Sequence, residues 1–162
     1  MSETQAYNMG AGEGEAIWFF GTLGTLKASG EHTGGAFTLI EQEGRNSVAT
    51  PLHVQMDDPE SFYVLEGELT FFVDGGEPIP APAGSFVHVP AGVPHAFQVE
   101  SDTARWLDLT TPRHEAFLRA AGEPAQAREL PPEGPPDMQK IMGLVDEYNI
   151  SILGPPPGRP QS

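Results

Sequence analysis

Short apolar runs separated by turn residues fill the first two thirds of the chain. Residues 17–20, Ile-Trp-Phe-Phe, show no polar alternation and predict a strand covered on both faces. Residues 69–73 predict another strand, which follows a tight hairpin turn at residues 66–68, Glu-Gly-Glu. Residues 74–76 carry the Asp-Gly signal of a two-residue hairpin loop. Strands at this short spacing, continuing to Leu109, predict a sandwich or a small barrel.

The pattern changes after Pro112. Residues 113–121 have a helical composition, and Asp137 precedes a second helical pattern that extends to Tyr148. Residues 130–136, which include four prolines, form a polyproline-type linker between them. We therefore predict a flexible leader over residues 1–13 and a β-barrel over residues 14–112. Residues 113–162 are expected to form C-terminal helices and a Pro-rich tail that pack on the barrel or on a partner subunit.

Composition supports the same fold class. The 162 residues include 19 glycines and 17 prolines in a chain that is 38% hydrophobic, which favours many short strands and tight turns. A chain of this length is expected to form one domain with a substantial core. The prediction is an all-β protein with a short C-terminal helical extension.

Charge and residue usage narrow the classes of partner. Eight Lys and Arg against 23 Asp and Glu give a formal net charge of −15, which would repel nucleic acid and anionic membrane surfaces. The chain contains no cysteine, so disulfides and thiolate ligands are excluded. Residues 1–13 contain no apolar run of the kind that opens a signal peptide. A cytoplasmic protein is therefore expected.

The most informative polar residues interrupt two apolar stretches. His53 and Gln55 are two positions apart, so on a strand their side chains lie on the same face. Glu60 begins the next extended run, and His95 follows Pro94 at the head of another strand. We expect two imidazoles and a carboxylate to converge in the barrel.

The spacing of these residues resembles the two sequence motifs of the cupin superfamily. The first motif is matched by His53, Gln55, Glu60 and Gly67, and the second by Gly84, Pro90, Gly92 and His95. Two positions depart from it: Gln55 replaces the second histidine of the first motif, and Val99 lies where an asparagine is common. The resemblance implies the cupin double-stranded β-helix, a jelly-roll barrel.

The likeness extends to residues 14–19, 93–97 and 152–155, which are similar to bacterial single-cupin proteins of the quercetin 2,3-dioxygenase type. This resemblance implies a dioxygenase acting on a flavonol-like or polyketide-like phenol, with Glu60 as the base that takes the substrate's proton. It also implies one divalent transition metal held by His53, Glu60 and His95, with Gln55 as a weak further ligand. The choice among iron, manganese, nickel, cobalt and zinc stays open.

A small aromatic molecule is the expected ligand. Its apolar pocket is predicted to be lined by Phe62, Phe71, Phe86, Phe97 and Val99. The other histidines are assigned to the surface: His32 to a loop, His88 to the outer face of its strand and His114 to an exposed helix position. The apolar strand over residues 15–22 predicts a homodimer, because it is too apolar for an exposed edge.

Three alternatives to a dioxygenase site stay open. The cupin could be a non-redox isomerase or cyclase, in which the metal only polarises an oxygen, and oxygen consumption separates this case from a dioxygenase. It could instead be a non-catalytic protein that binds a small aromatic molecule, which the poorer ligand Gln55 favours. The polar cluster could also be free of metal and held by hydrogen bonds, although burying a carboxylate beside neutral groups is unfavourable.

Overall fold

The computed structural model describes residues 4–159. Residues 1–3 of the predicted leader and residues 160–162 of the predicted tail lie outside the described residues. The strands of the described chain are β1 Glu15–Phe19, β2 Thr22–Ala28, β3 Thr38–Arg45, β4 Leu52–Gln55, β5 Glu60–Glu66, β6 Glu68–Val73, β7 Ile79–Pro82, β8 Phe86–Val89, β9 His95–Val99, β10 Thr103–Thr110, β11 Glu123–Pro124 and β12 Ile150–Gly154. Its helices are α1 Pro112–Ala121 and α2 Met138–Met142.

The strands form two antiparallel sheets, as a jelly-roll barrel requires. One has seven strands in the order β11-β1-β2-β3-β10-β5-β8, and the other has five in the order β12-β4-β9-β6-β7. Side chains from both sheets share one core, in which Phe62 and Trp106 of the first sheet pack with Phe71 and Phe97 of the second. The predicted all-β jelly-roll barrel with a short helical extension is confirmed.

Alternation along β10 shows how each strand divides its residues between the core and the outer face. Ala104, Trp106 and Asp108 are buried, whereas the residues between them are more exposed. This is the period of two that a pleated strand imposes. The alternation places the Asp108 carboxylate inside the barrel, on the same face as the fully buried Trp106.

Gly67 is the point at which the chain passes from one sheet to the other. The sequence predicted a hairpin turn here, but β5 belongs to the seven-stranded sheet and β6 to the five-stranded sheet. Gly67 has a φ of 76°, and a Cβ at this position would lie 2.5 Å from the carbonyl oxygen of Thr103. Glycine is therefore needed both for its backbone conformation and for close packing.

The C-terminal segment differs in part from its prediction. Helix α1 is present, and its N-cap Thr111 accepts a hydrogen bond from the backbone N–H of His114. The second helical pattern was predicted to extend to Tyr148, but α2 ends before Gly143, a residue that stabilises helices poorly. The chain then forms β12, a strand that the sequence analysis did not predict and that pairs with β4. Within residues 4–159 there is no helix with the length and apolarity needed to cross a membrane.

The apolar strand β1 is covered by the chain itself. Ile17 packs in a second core cluster with Phe117 and Leu118 of α1, and the indole N–H of Trp18 donates to the carbonyl of Glu129. The free side of β1 pairs with β11. The chain therefore buries Ile17 and Trp18 itself, whereas Phe19 and Phe20 stay half-buried. The use of residues 15–22 in a dimer stays a prediction. The homodimer itself stays a prediction.

The described part of the predicted leader contacts β2. The Tyr7 hydroxyl donates to the carbonyl of Lys27, while the Lys27 ammonium donates to the carbonyls of Gly10 and Glu13. These hydrogen bonds hold residues 7–13 against the seven-stranded sheet.

Candidate metal centre

Neighbouring strands of the five-stranded sheet bring two histidines together. His53 on β4 is the register partner of His95 on β9, and the centroids of their rings are 4.4 Å apart. Glu60 begins β5 in the opposite sheet. One ligand atom from each of these three residues lies within 4.8 Å of the other two. The structure thus brings together the three residues whose spacing predicted a site.

Hydrogen bonds to main-chain carbonyls orient both imidazoles. His53 Nδ1 lies 2.8 Å from the carbonyl oxygen of Pro51, and His95 Nδ1 lies 3.0 Å from that of Val93. A carbonyl can only accept, so each Nδ1 donates and each Nε2 of a neutral ring keeps its lone pair. His95 Nε2 is buried and finds no hydrogen-bond partner among residues 4–159. This arrangement of a bonded Nδ1 and a free Nε2 is typical of histidine ligands to metals.

The side-chain oxygen of Gln55 lies beside the free Nε2 of His53. The Gln55 amide nitrogen donates to the carbonyl of Asp58 at 3.2 Å, which leaves Oε1 3.2 Å from His53 Nε2. Burial, followed by the nearby His95, lowers the pKa of His53 to about 4, so this ring is neutral at pH 7. Two acceptor atoms therefore face each other with no proton between them.

Glu60 completes a set of acceptors. Burial would raise the pKa of its carboxyl, but His114, a hydrogen bond with Asp108, and His95 together hold this pKa well below its usual range. Glu60 Oε1 lies 3.6 Å from His95 Nε2. Burial lowers the pKa of His95, yet the hydrogen-bonding capacity and charge of Glu60 outweigh it and raise that pKa.

The donor set fits a divalent transition metal. Two imidazole nitrogens, one carboxylate and one amide oxygen converge in a buried place, where a cation between them would interact favourably with all four. Two histidines and one carboxylate suit redox-capable metals such as iron. Gln55 is a neutral oxygen donor and so a weaker ligand than the imidazole it replaces.

Asp108 is a member of the site that the sequence analysis placed only in a closing strand. It is 3% exposed, and burial, followed by the charge of Glu60 and a hydrogen bond with Glu60, raises its pKa well above the usual range. Burial and the charge of Glu60 therefore both favour the protonated form of Asp108. The period of two along β10, which pairs Asp108 with Trp106, is a signal that predicts its inward position.

His114 corrects a second prediction. It was assigned to an exposed helix position, but it is 5% exposed and its Nε2 lies 3.7 Å from Glu60 Oε2. The hydrogen bond from Thr111 Oγ1 to the Asp58 carboxylate holds the start of α1 against the turn between Gln55 and Glu60. The docking of α1 therefore places His114 in the barrel mouth. No local sequence pattern predicts this docking.

A cavity opens from the polar cluster toward the C-terminal segment. Its enclosed part is small, about 70 Å³, and it opens at a mouth. Apart from the polar cluster, its walls are mainly apolar. They include Phe19, Phe97, Phe117, Ile141, Ile150 and Ile152.

Only one of the residues predicted to line the pocket does so. Phe97 contributes to the cavity wall, whereas Phe62, Phe71 and Val99 are at most 1% exposed and belong to the closed barrel core. Phe86 is 64% exposed. These four predictions are wrong. Phe62, Phe71 and Val99 fill the closed barrel farther along their strands, whereas much of the apolar cavity wall comes from α1 and the segment after it.

Strand parity explains the error at Phe86. Val89 on β8 is buried, and His88 is exposed on the outer face, as predicted, where its Nδ1 lies 2.8 Å from the hydroxyl of Ser61. Phe86 shares the parity of His88 and therefore also lies outside. His32 is likewise exposed in its loop.

Comparison with known proteins is consistent with this site. Residues 42–110 match the family described as "Cupin domain", a range that contains Glu60, both histidines of the cluster and Asp108. The chain is 34% identical over 131 residues to quercetin 2,3-dioxygenase of Bacillus subtilis (strain 168). That alignment covers 80% of this chain and 39% of the relative, so the chain spans about two fifths of the relative's length.

Two solved structures share the fold. KdgF from Halomonas sp. superposes with a TM-score of 0.53 at 17% identity, covering 60% of this chain and 84% of KdgF. A predicted oxalate decarboxylase from Thermotoga maritima gives a TM-score of 0.52 at 18% identity, covering 56% and 79% of the two chains. At these identities the likeness extends to the fold alone.

Proposed function

We propose that this chain, which matches a cupin family over residues 42–110 and is similar to a bacterial quercetin 2,3-dioxygenase, is a metal-dependent dioxygenase acting on a flavonol-like or polyketide-like phenol. The observation that carries the proposal is the convergence of ligand atoms from His53, Gln55, Glu60 and His95 on one buried place beside an apolar cavity. The similarity to a quercetin dioxygenase supports the reaction type. The mainly apolar walls of the cavity support an aromatic ligand.

His53, Glu60 and His95 would hold the metal, with the Gln55 amide oxygen as a weak fourth ligand. When bound, the metal would supply the Lewis acidity and redox capacity that activate a phenolate toward dioxygen. Iron, manganese, nickel, cobalt and zinc are all compatible with this donor set.

The chain's own residues supply proton transfer and orientation. Glu60 is held ionised and is free to accept a proton, but its lowered pKa makes it a weak base, so it would take the proton of a hydroxyl that the metal has made more acidic. Asp108 fixes the rotation of the Glu60 carboxyl by sharing a proton with it. Phe97, Phe117 and Ile150 are placed to hold the planar rings and to exclude water from the reacting atoms.

Oxygen uptake tests the proposal. Protein prepared without metal would be loaded separately with each candidate metal and mixed with quercetin while dissolved oxygen and flavonol absorbance are recorded. We expect oxygen and flavonol to disappear together with at least one metal, and we expect no such loss with His95→Ala. Loss of flavonol without oxygen uptake would contradict the proposal and favour an isomerase or cyclase.

A non-catalytic aromatic-binding cupin is a second candidate function, favoured specifically by Gln55. An amide oxygen is a poorer donor than imidazole to late first-row metals, so the centre would bind metal more weakly than a site with a third histidine. Binding of a phenolic ligand without turnover under any metal would support this function. The predicted homodimer and cytoplasmic location are compatible with both candidates.

A further inference from the structure

Most polar side chains in the cavity wall outside the metal cluster are satisfied within the protein. The Gln42 amide accepts from the indole N–H of Trp106 and donates to Thr22 Oγ1. The hydroxyl of Thr50 accepts from the backbone N–H of Phe97. These groups have no need of a ligand.

Two buried atoms beside Glu60 are left without a partner. They are Nδ1 of His114 and Oδ1 of Asp108, and both residues line the cavity. A buried polar atom without a hydrogen bond is unfavourable, and most such atoms in native proteins find a partner. The unsatisfied polar atoms of the wall are therefore gathered at one end of an otherwise apolar cavity, next to the candidate base.

The contacts of its ring make His114 the better fixed of the two. Its Nε2 is directed to Glu60 Oε2, the carboxylate oxygen opposite the one that faces His95. Its ring packs on Phe117, with centroids 5.7 Å apart, and so is fixed in the cavity wall. Within residues 4–159, its free Nδ1 has no protein group to bond with.

We propose that His114 is a specificity-determining residue, whose Nδ1 hydrogen-bonds a second hydroxyl group of the aromatic substrate, distinct from the one bound at the metal centre. This inference rests on the proposed function and deepens it, since it names a polyhydroxylated aromatic compound as the substrate class. A hydroxyl both donates and accepts, so it satisfies Nδ1 whichever nitrogen of the ring carries the proton.

The expected discrimination follows from the burial of His114. A ligand without the second hydroxyl would enter the cavity but leave Nδ1 unpaired, whereas a ligand with it would satisfy the nitrogen. Sites built to bond a hydroxyl reject analogues that lack it. For one neutral hydrogen bond at a buried site, the difference in affinity is about 10- to 100-fold.

A purely structural role for His114 makes a different prediction. If His114 only held Glu60 in place, its replacement would weaken all ligands by a similar factor. If His114 hydrogen-bonds a substrate hydroxyl, its replacement changes the ratio of affinities between a ligand that carries this hydroxyl and one that lacks it. The ratio therefore separates the two roles even when the absolute affinities also change.

The test uses quercetin, which carries several hydroxyls, and 3-hydroxyflavone, which carries only the hydroxyl expected at the metal. Dissociation constants for both would be measured by fluorescence titration without oxygen, on wild type, His114→Phe and His114→Asn. Phenylalanine keeps the ring and its packing on Phe117, and asparagine returns a polar atom near the position of Nδ1. His88→Phe makes the same change at an exposed histidine and is the control.

We expect wild type and His88→Phe to prefer quercetin by about 10- to 100-fold. His114→Phe should bring the ratio close to one, and His114→Asn should restore part of it. A wild-type protein that binds both flavonols equally, or neither, would overturn the inference, and so would an unchanged ratio in His114→Phe. The wild-type ratio is decisive whether or not every variant folds.

Oxygen uptake distinguishes failure of this inference from failure of the proposed function. A His114-dependent ratio without oxygen uptake would reject the dioxygenase and keep the hydroxyl contact. Oxygen uptake with an affinity ratio that His114→Phe leaves unchanged would keep the dioxygenase and reject the hydroxyl contact.

Discussion

Gln55 Oε1 and His53 Nε2, both acceptors, face each other at 3.2 Å. The Gln55 amide cannot turn to relieve this contact without losing its hydrogen bond to Asp58. A bound cation would convert the repulsion into a pair of favourable contacts. The predictions below follow from this arrangement and from the groups around Glu60.

Replacement of Gln55 by histidine should tighten metal binding. The side chain at position 55 already points at the cluster, so an imidazole there would reach the same metal with little backbone change. A better donor is expected to raise the affinity by about tenfold, which requires only about 1.4 kcal/mol. Competition with a chelator measures the change. Gln98→His is the control, since Gln98 is also buried but bonds to Glu100; equal effects of the two substitutions would refute the role of Gln55.

Replacement of Glu60 by glutamine should separate metal binding from proton transfer. Glutamine keeps an oxygen that can still coordinate, but it cannot accept the substrate's proton. At saturating metal, turnover should fall by about 10²- to 10⁴-fold, the usual contribution of a general base. Glu66→Gln, at an exposed position, serves as the control for steady-state kinetics. A near-wild-type rate in Glu60→Gln would mean that the proton goes elsewhere.

Asp108 should act through its proton rather than through a charge. Asp108→Asn keeps a neutral side chain that can donate to Glu60, so metal affinity should stay near the wild-type value. Asp108→Leu removes the donor and is expected to weaken metal binding by about 10- to 100-fold, as is usual for groups that support a ligand. Chelator competition on both variants checks this. Equal losses in the two variants would contradict the shared proton.

Metal removal should lower thermal stability. The four converging acceptors favour the folded state only when a cation balances them. Metal at 100 times its Kd is expected to stabilise the fold by about 2.7 kcal/mol, which corresponds to several degrees in Tm for a chain of this size. Calorimetry of wild type with and without chelator would show the shift, and His95→Ala should show none. A Tm that does not respond to metal would count against the site.

Local sequence patterns predicted the metal cluster because its residues lie on short strands with fixed alternation. His53 and Gln55 share one face of β4, and a proline-glycine turn delivers His95 to the neighbouring strand. The same alternation places Asp108 inside and Phe86 outside. The inward position of Asp108 could have been predicted from Trp106, two residues earlier on the same strand. The outward position of Phe86 could have been predicted from His88, which was already assigned to the outer face.

The rest of the site depends on tertiary packing. His114 lies on α1, and its burial follows from how that helix docks at the barrel mouth through Thr111 and Asp58. The covering of β1 by α1 and β11 depends on the same docking. Neither hydrophobic period nor motif spacing reports the position of a helix relative to a barrel. The cavity wall was therefore predicted from the wrong strands.

Elemental analysis of the purified protein tests the central claim most directly. Wild type and His95→Ala would be expressed in parallel, purified without added metal or chelator, and analysed for first-row transition metals per chain. We expect bound metal in wild type and a large loss in His95→Ala, while the exposed-site variant His88→Phe keeps the wild-type content. Equal, near-zero metal in all three proteins, persisting after incubation with each candidate metal, would contradict the central claim.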